Sequence, residues 1–388
     1  MWHGCRNEPR VALRKTTDNW MEIVRRYHPC FPRGEGKMKR MIAVLIVAMA
    51  MPSAGHCGSA SRMLASHLES VKKAESCIYG LKDSDGRGMD CLKLFQALDD
   101  STGVCYGVYH KRSRGVFAIH LAQSTDLKHW KHIGMLDAHA SQATVWPCKN
   151  GGFLLAYEKD APNSCWIRLR YYDDLRDLSM GMHAREYDVS RTLAPTAEGT
   201  PSFDSVELGK NGLDSSLIRL RFHYYKNAQV DQLARGTLTN FDSWKSEASD
   251  DLNSDLVRRG WLGNLGDRDL FEWENKNYYL QETQRTSRDW SSWRLCLCDD
   301  DGMVISPLAI RTHQGARAFA NPTATWITDP ENNRKLVVTY FLLSEGNPSS
   351  EVGTMLYVIN PSRIFRESDN PLGSTRSGSA GVGRSSRF

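Results

Sequence analysis

Four acidic residues, Asp90, Glu198, Asp267 and Asp269, stand at or just ahead of short aromatic strands. Carboxyl groups gathered from such positions can divide acid and base work, one keeping its proton while another is ionised. Cleavage of a glycosidic bond needs this division, with the two carboxyls about 6.5–9.5 Å apart for inversion or about 5–5.5 Å apart for retention. Gln142, Asp267, Arg268, Arg317 and Asn321 are read as substrate-binding, offering amide, carboxylate and guanidinium groups suited to sugar hydroxyls. Each candidate also has a structural reading: Glu198 as a cap on the turn before Pro201, and Asp267-Arg268-Asp269 as an ion-pair network between strands. No phosphate-binding loop, dinucleotide glycine pattern, HExxH or nucleophile elbow occurs, and nothing in the sequence indicates a cofactor, a metal or an axial calcium.

The elements that must position these residues are strands and turns. Val104–Tyr109, Phe153–Tyr157, Leu217–Tyr224, Tyr278–Gln281 and Lys335–Phe341 are aromatic and β-branched, and each follows a polar turn such as Lys149-Asn-Gly-Gly152 or Gly209-Lys-Asn-Gly212. Strand, turn and aromatic strand predict a hairpin, repeated five times along the chain. A second repeated segment follows the first three hairpins: Ser124-Thr-Asp-Leu-Lys-His-Trp130, Tyr172-Asp-Asp-Leu-Arg-Asp-Leu178 and Leu238-Thr-Asn-Phe-Asp-Ser-Trp244. It reads as the turn before an outer strand, with Trp or Leu wedged between neighbouring units. A repeat of about 50 residues holding four strands is the size of a propeller blade, so the chain is read as all-β, one five-bladed β-propeller over residues 88–361. Only residues 62–76 read as helical. In a propeller the innermost strand of each blade lines the axis, which predicts that Cys91–Gln96, Ser141–Trp146, Glu198–Phe203, Asp267–Phe271 and Arg317–Thr323 meet there.

Three of these segments also carry a family resemblance. Glu198-Gly-Thr-Pro-Ser ahead of a strand, Arg268-Asp269-Leu-Phe-Glu-Trp-Glu-Asn-Lys-Asn-Tyr-Tyr279 and Ser124-Thr-Asp-Leu-Lys-His-Trp130 resemble the five-bladed glycosidases of glycoside hydrolase family 43 and the related invertase and levansucrase clan. The resemblance implies a general-acid Glu on the third blade, which Glu198 matches, a general-base Asp on the first blade and an orienting Asp on the second. Here the first blade offers Leu94 or Gln96, with Asp90 a few residues early, and the second offers Gln142 and Thr144. Asp269, nine residues before Tyr278, is then the favoured partner of Glu198, and Asp90 is the alternative. An exported glycosidase acting on oligo- or polysaccharide is the expected function. The alternative is a propeller that binds carbohydrate without cleaving it.

Charge narrows the partners. The chain has 388 residues, 24% of them charged, and a formal net charge of +5. Residues 1–37 hold eight bases against four acids, whereas from Gly58 onward 40 bases meet 41 acids, so the positive charge belongs to the N-terminus. Nucleic-acid binding loses its support. Lys39-Arg40, the apolar run Met41–Met51 and the small residues Pro52–Ala60 follow the order of a secretory signal peptide, and the run is shorter than the about 20 residues that span a bilayer. The expected organisation is a dispensable leader at 1–37, a signal peptide at 38–57, a lead-in at 58–87, the propeller, and a disordered tail at 362–388. The protein is thus expected outside the cytoplasm, as a monomer without a membrane span. In that setting Cys77, Cys91, Cys105, Cys148, Cys165, Cys296 and Cys298 are candidates for disulfides, and Cys296-Leu-Cys298 reads as two thiols on one strand face.

Overall fold

The computed structural model describes residues 59–98, 102–113, 115–227 and 229–361. The expected leader, signal peptide and C-terminal tail lie outside the described residues. Five four-stranded antiparallel sheets follow one another around a closed ring, a five-bladed β-propeller. Blade one is β2 (Asp90–Phe95), β3 (Cys105–Ser113), β4 (Val116–Ser124) and β5 (Lys131–Ala138). Blade two is β6 (Ala140–Pro147), β7 (Phe153–Ala161), β8 (Ser164–Tyr172) and β9 (Arg185–Asp188). Blade three is β10 (Glu198–Gly209), β11 (Gly212–Lys226), β12 (Val230–Thr239) and β13 (Ser243–Ala248). Blade four is β14 (Leu265–Trp273), β15 (Lys276–Gln284), β16 (Trp293–Cys298) and β17 (Val304–Pro307). Blade five is β18 (Phe319–Thr328), β19 (Arg334–Leu342) and β20 (Gly353–Ile359), completed by β1 (Ser76–Ile78) from the other end of the chain.

That last strand closes the ring. Ser76, Cys77 and Ile78 pair with Val358, Tyr357 and Leu356, so part of the lead-in supplies the outer edge of blade five. Helix α1 (Ser59–Glu69) precedes it and buries Leu64 and Leu68 beside Trp273, Tyr340 and Tyr357. The helical segment therefore ends earlier than the sequence suggests, and residues 76–78 are extended. Two further short helices, α2 (Leu175–Met180) and α3 (Asp250–Arg258), lie in connections. The first occupies the segment read as a turn, capped by Asp174, whose side chain accepts from the Asp177 N–H.

Alternation along the strands sends apolar side chains into the junctions between blades, giving a core at every junction and a second, smaller cluster between blades four and five. Trp130 and Leu178, from the recurring turn segments, are buried at the blade five–one and one–two junctions. Trp130 lies over Gly107, where a Cβ would come within 3.1 Å of its ring and 2.5 Å of Leu92 Cδ1, so only glycine allows this approach. No disulfide joins the described cysteines. Cys91, Cys105, Cys148, Cys165, Cys296 and Cys298 are buried, distributed over blades one, two and four. Cys296 and Cys298 project in parallel from one face of β16, as the sequence suggests. No helix among the described residues is long and apolar enough to cross a membrane.

Candidate active site

Every inner strand breaks register near its start. The shifts fall between Asp90 and Lys93, Ser141 and Thr144, Gly199 and Ser202, Leu265 and Arg268, and Ala320 and Thr323. Four of the bulges hold a non-glycine residue at positive φ: Cys91 (53°), Gln142 (53°), Thr200 (49°) and Asn321 (47°). Such a conformation costs on the order of 1–3 kcal/mol and persists only where surrounding bonds enforce it. For three of them the enforcing group comes from the second strand of the preceding blade. His110 Nδ1 accepts the Gln142 N–H at 3.2 Å, Glu158 accepts the Thr200 N–H, and Glu282 Oε2 accepts the Asn321 N–H at 2.5 Å. Each buried acceptor thereby twists the next inner strand and turns its side chain toward the axis.

The re-aimed side chains meet. Asn321 Nδ2 donates to Gln142 Oε1 at 3.0 Å, and the Asn321 side chain also bonds to Asp267. Asp267 Oδ1 accepts the Arg268 N–H at 2.7 Å. Cys91 Sγ lies 4.0 Å from His110 Nε2 and feels the charges of Asp267, Asp90 and Glu282, which places these acids around one end of the axis. Gln142, Asp267 and Asn321, expected at the axis, are brought together there, with Asp90 close by.

Burial of so many acids in one region raises their pKa values. Burial alone pushes Asp90 up to about 6. Asp267 is pushed well above the carboxylate range, first by burial and then by the charges of Glu282 and Asp269. Glu282 is pushed up to about 7, again chiefly by burial. Glu158 behaves like Asp267, with Asp160 and Asp231 as the repelling neighbours. His110 is pushed down to about 3 by burial, so its ring stays neutral and Nδ1 keeps the lone pair that accepts from Gln142. Carboxyls of one region with separated proton affinities are what acid–base division requires.

Glu198 and Asp269 are held differently. Glu198 Oε1 accepts the backbone N–H groups of Thr192, Leu193 and Ala194 at 2.7, 2.5 and 3.0 Å, closing the loop ahead of its own strand. Its side chain leaves the strand before the bulge that re-aims the residues after it. Asp269 Oδ2 pairs with Lys93 Nζ at 2.6 Å and accepts the Ala324 N–H at 2.8 Å, so one buried carboxylate fastens blades four, one and five together. Arg268 turns into the blade three–four junction, its guanidinium 4.5 Å from the Tyr279 ring centre, with Arg221 at 4.2 Å from the same centre. Arg317 is exposed at the rim.

Sequence reasoning missed His110, Glu158 and Glu282. Their signal is a titratable residue inside an apolar strand, as in Phe153-Leu-Leu-Ala-Tyr-Glu158 and Tyr278-Tyr-Leu-Gln-Glu282, since such a group is buried only with a partner. Glu158, Asp160 and Cys165 also bring two carboxylate oxygens and a sulfur within 4.8 Å of one another, a donor set that could hold a cation.

No protein-family model and no curated protein matches the chain. Solved structures do match in shape. A BT0996 RGII complex superposes with a TM-score of 0.53 at 8% identity, covering 76% of this protein and 94% of that one. A structure described as a glycoside hydrolase gives 0.51 at 8% identity, covering 82% and 97%. A thermostable family-43 glycoside hydrolase gives 0.48 at 12% identity, covering 72% and 92%. The likeness is one of fold: the protein carries a five-bladed β-propeller of the kind found in glycoside hydrolases, over nearly the whole length of those proteins.

Proposed function

We propose that the protein is a glycoside hydrolase that cleaves an oligo- or polysaccharide at the bulged end of the propeller axis. Asp90 and Asp267 carry the reaction. They stand on the inner strands of blades one and four, which blade five separates, and they differ in how far burial raises their pKa. Asp267, which keeps its proton more firmly, protonates the leaving oxygen. Asp90, ionised above about pH 6, acts on the anomeric side as base or nucleophile. The Gln142 and Asn321 amides orient sugar hydroxyls, and the low-dielectric surroundings strengthen every polar contact made there. Glu198 and Asp269 serve as structural carboxylates. Export through residues 38–57 belongs to the same reading, and N-terminal sequencing of protein recovered outside the cytoplasm checks it.

The clustering of Asp90, Asp267 and Glu282 with raised pKa values is the observation that carries this reading. Reducing-sugar release from a panel of plant and microbial polysaccharides tests it. At least one substrate should be cleaved by the native protein and spared by Asp90→Asn and Asp267→Asn. Binding to a glycan with no release from any member of the panel would replace this reading with that of a binding propeller.

A further inference from the structure

Blade five carries a positive surface that the axial chemistry does not use. A cleft of about 740 Å³ opens between the α1–β1 connection and the β17–β18 connection. Lys72, Lys73, Arg311, His313 and Arg317 line it, and no acidic side chain does. All five are exposed, and among the described residues neither lysine and neither arginine is in an ion pair. From Gly58 onward bases and acids nearly balance, so this density of one sign is a local asymmetry.

The cations sit on a pinned frame. Buried Glu351 accepts from Thr312 Oγ1 at 2.6 Å, from the Gln314 N–H at 2.7 Å and from the Ala316 N–H at 3.2 Å. The Arg311 N–H donates to Glu69 O at 2.8 Å, and the Arg317 N–H donates to Asn347 Oδ1 at 2.6 Å. A loop fixed at so many points loses little freedom when a ligand settles on it. The positive field continues beyond the cleft. Arg294, lowered in pKa chiefly by burial, is lowered further by Arg285 and Arg317 against the opposing charge of Asp289, so the three guanidinium groups are neighbours with one acid among them. Half-buried Trp290 packs against the cluster of Trp293, Ala318, Ala320 and Leu343 beside them, an aromatic surface of the kind that meets sugar faces. Like charges kept together repel, and an anionic ligand relieves that repulsion. Arg317 stands four residues before Asn321, so at about 3.3 Å per residue their Cα atoms are at most about 13 Å apart.

We propose that this cleft binds carboxylates of an acidic, uronate-bearing polysaccharide whose chain runs on into the axial site. The continuation to the axis rests on the glycosidase reading; the recognition of acidic sugar does not. Arg311 and Arg317 take the carboxylate, and Lys72 and Lys73 supply point charges on the opposite wall.

Calorimetric titration of the Asp90→Asn protein separates recognition from cleavage. The probes are an oligogalacturonate, an uncharged arabino-oligosaccharide of equal length and a single-stranded DNA oligonucleotide. The acidic sugar should bind about tenfold or more tightly than the neutral one, and Arg311→Ala/Arg317→Ala should remove about tenfold of its affinity. Lys72→Ala/Lys73→Ala should remove less. Each difference should shrink in 1 M salt, where charges are screened within about 3 Å. An unchanged melting temperature shows that these exposed replacements leave the fold intact. Equal affinity for both sugars, an arginine variant that binds normally, or DNA bound as tightly as oligogalacturonate would overturn the inference. Cleavage of neutral glycans with no acidic preference would sink this inference alone. Uronate binding by a protein that cleaves nothing would sink only the proposed activity.

Discussion

Asn321 on blade five donates to Gln142 on blade two at 3.0 Å, so two amides from non-adjacent blades close the axis beside Asp267. The bond forms because both residues sit at positive φ in bulges held by Glu282 and His110. Asn321→Gly keeps that backbone relaxed and removes the bridge together with the Asp267 contact, whereas Asn321→Ala removes both and also strains the backbone. Turnover should fall about 10²-fold in both, since small misplacements of reacting groups cost that much. Only the alanine variant should also melt several degrees lower. Normal turnover in Asn321→Gly would show that the bridge positions nothing.

Rate and stability should divide cleanly between Asp90 and Asp267 on one side and Glu198 on the other. Asp90→Asn and Asp267→Asn should each lower kcat about 10²- to 10⁴-fold with little loss of glycan binding. Glu198→Gln weakens three backbone contacts and should cost about 1–3 kcal/mol of stability, while retaining most activity in the folded fraction. Denaturant melts alongside kinetics read both quantities. A Glu198→Gln protein of native stability and no activity would return the acid role to Glu198.

Residues that act over one hairpin were legible in the sequence, whereas those that act between blades were not. Polar turns followed by aromatic alternation mark the five hairpins because both signals are local. The closing strand Ser76–Ile78 is too short to show a period of two, and its partners Leu356–Val358 lie at the far end of the chain. The axial position of Gln142 and Asn321 follows from their place near the start of inner strands. Their aim depends on His110 and Glu282, each from the preceding blade. Glu198 was placed on the right strand, but the register shift begins after it, so its side chain turns back to the loop. No local pattern distinguishes the two sides of a bulge.

The Lys93–Asp269 pair should behave as a buried ion pair. Its side chains are 13% and 8% exposed, and Asp269 also holds the Ala324 N–H. Lys93→Met leaves a buried carboxylate without its counter-charge, which should destabilise the fold by about 3–5 kcal/mol. Adding Asp269→Asn removes the charge and keeps an acceptor for Ala324, so the double variant should recover much of the loss. Additive effects in the double-mutant cycle would show that the two residues are energetically independent.

Stability should fall as pH rises above about 6.5, because the axial acids hold protons that the unfolded chain has released. In the folded protein Glu282 is pushed up to about 7, and Asp267 and Glu158 are pushed well above their ordinary values. Unfolded Asp and Glu titrate near 3.9 and 4.3, so above those values the folded state binds more protons and stability declines with pH. Their contribution is fully present below about pH 4 and is lost as pH rises through the folded values. Histidines act with the opposite sign: His110 and His120 are pushed down to about 3 and about 4, so acidification below about 6.5 favours the unfolded chain. The two groups oppose each other between about pH 4 and 6.5, and above that window the raised carboxyls dominate. Melting temperatures measured from pH 4.5 to 8.5 should therefore decline above about pH 6.5, and Glu282→Gln should flatten the slope chiefly between about pH 4.3 and 7, where only the folded state holds that proton. A native-like slope in Glu282→Gln would mean that Glu282 releases its proton in the folded protein no later than in the unfolded chain.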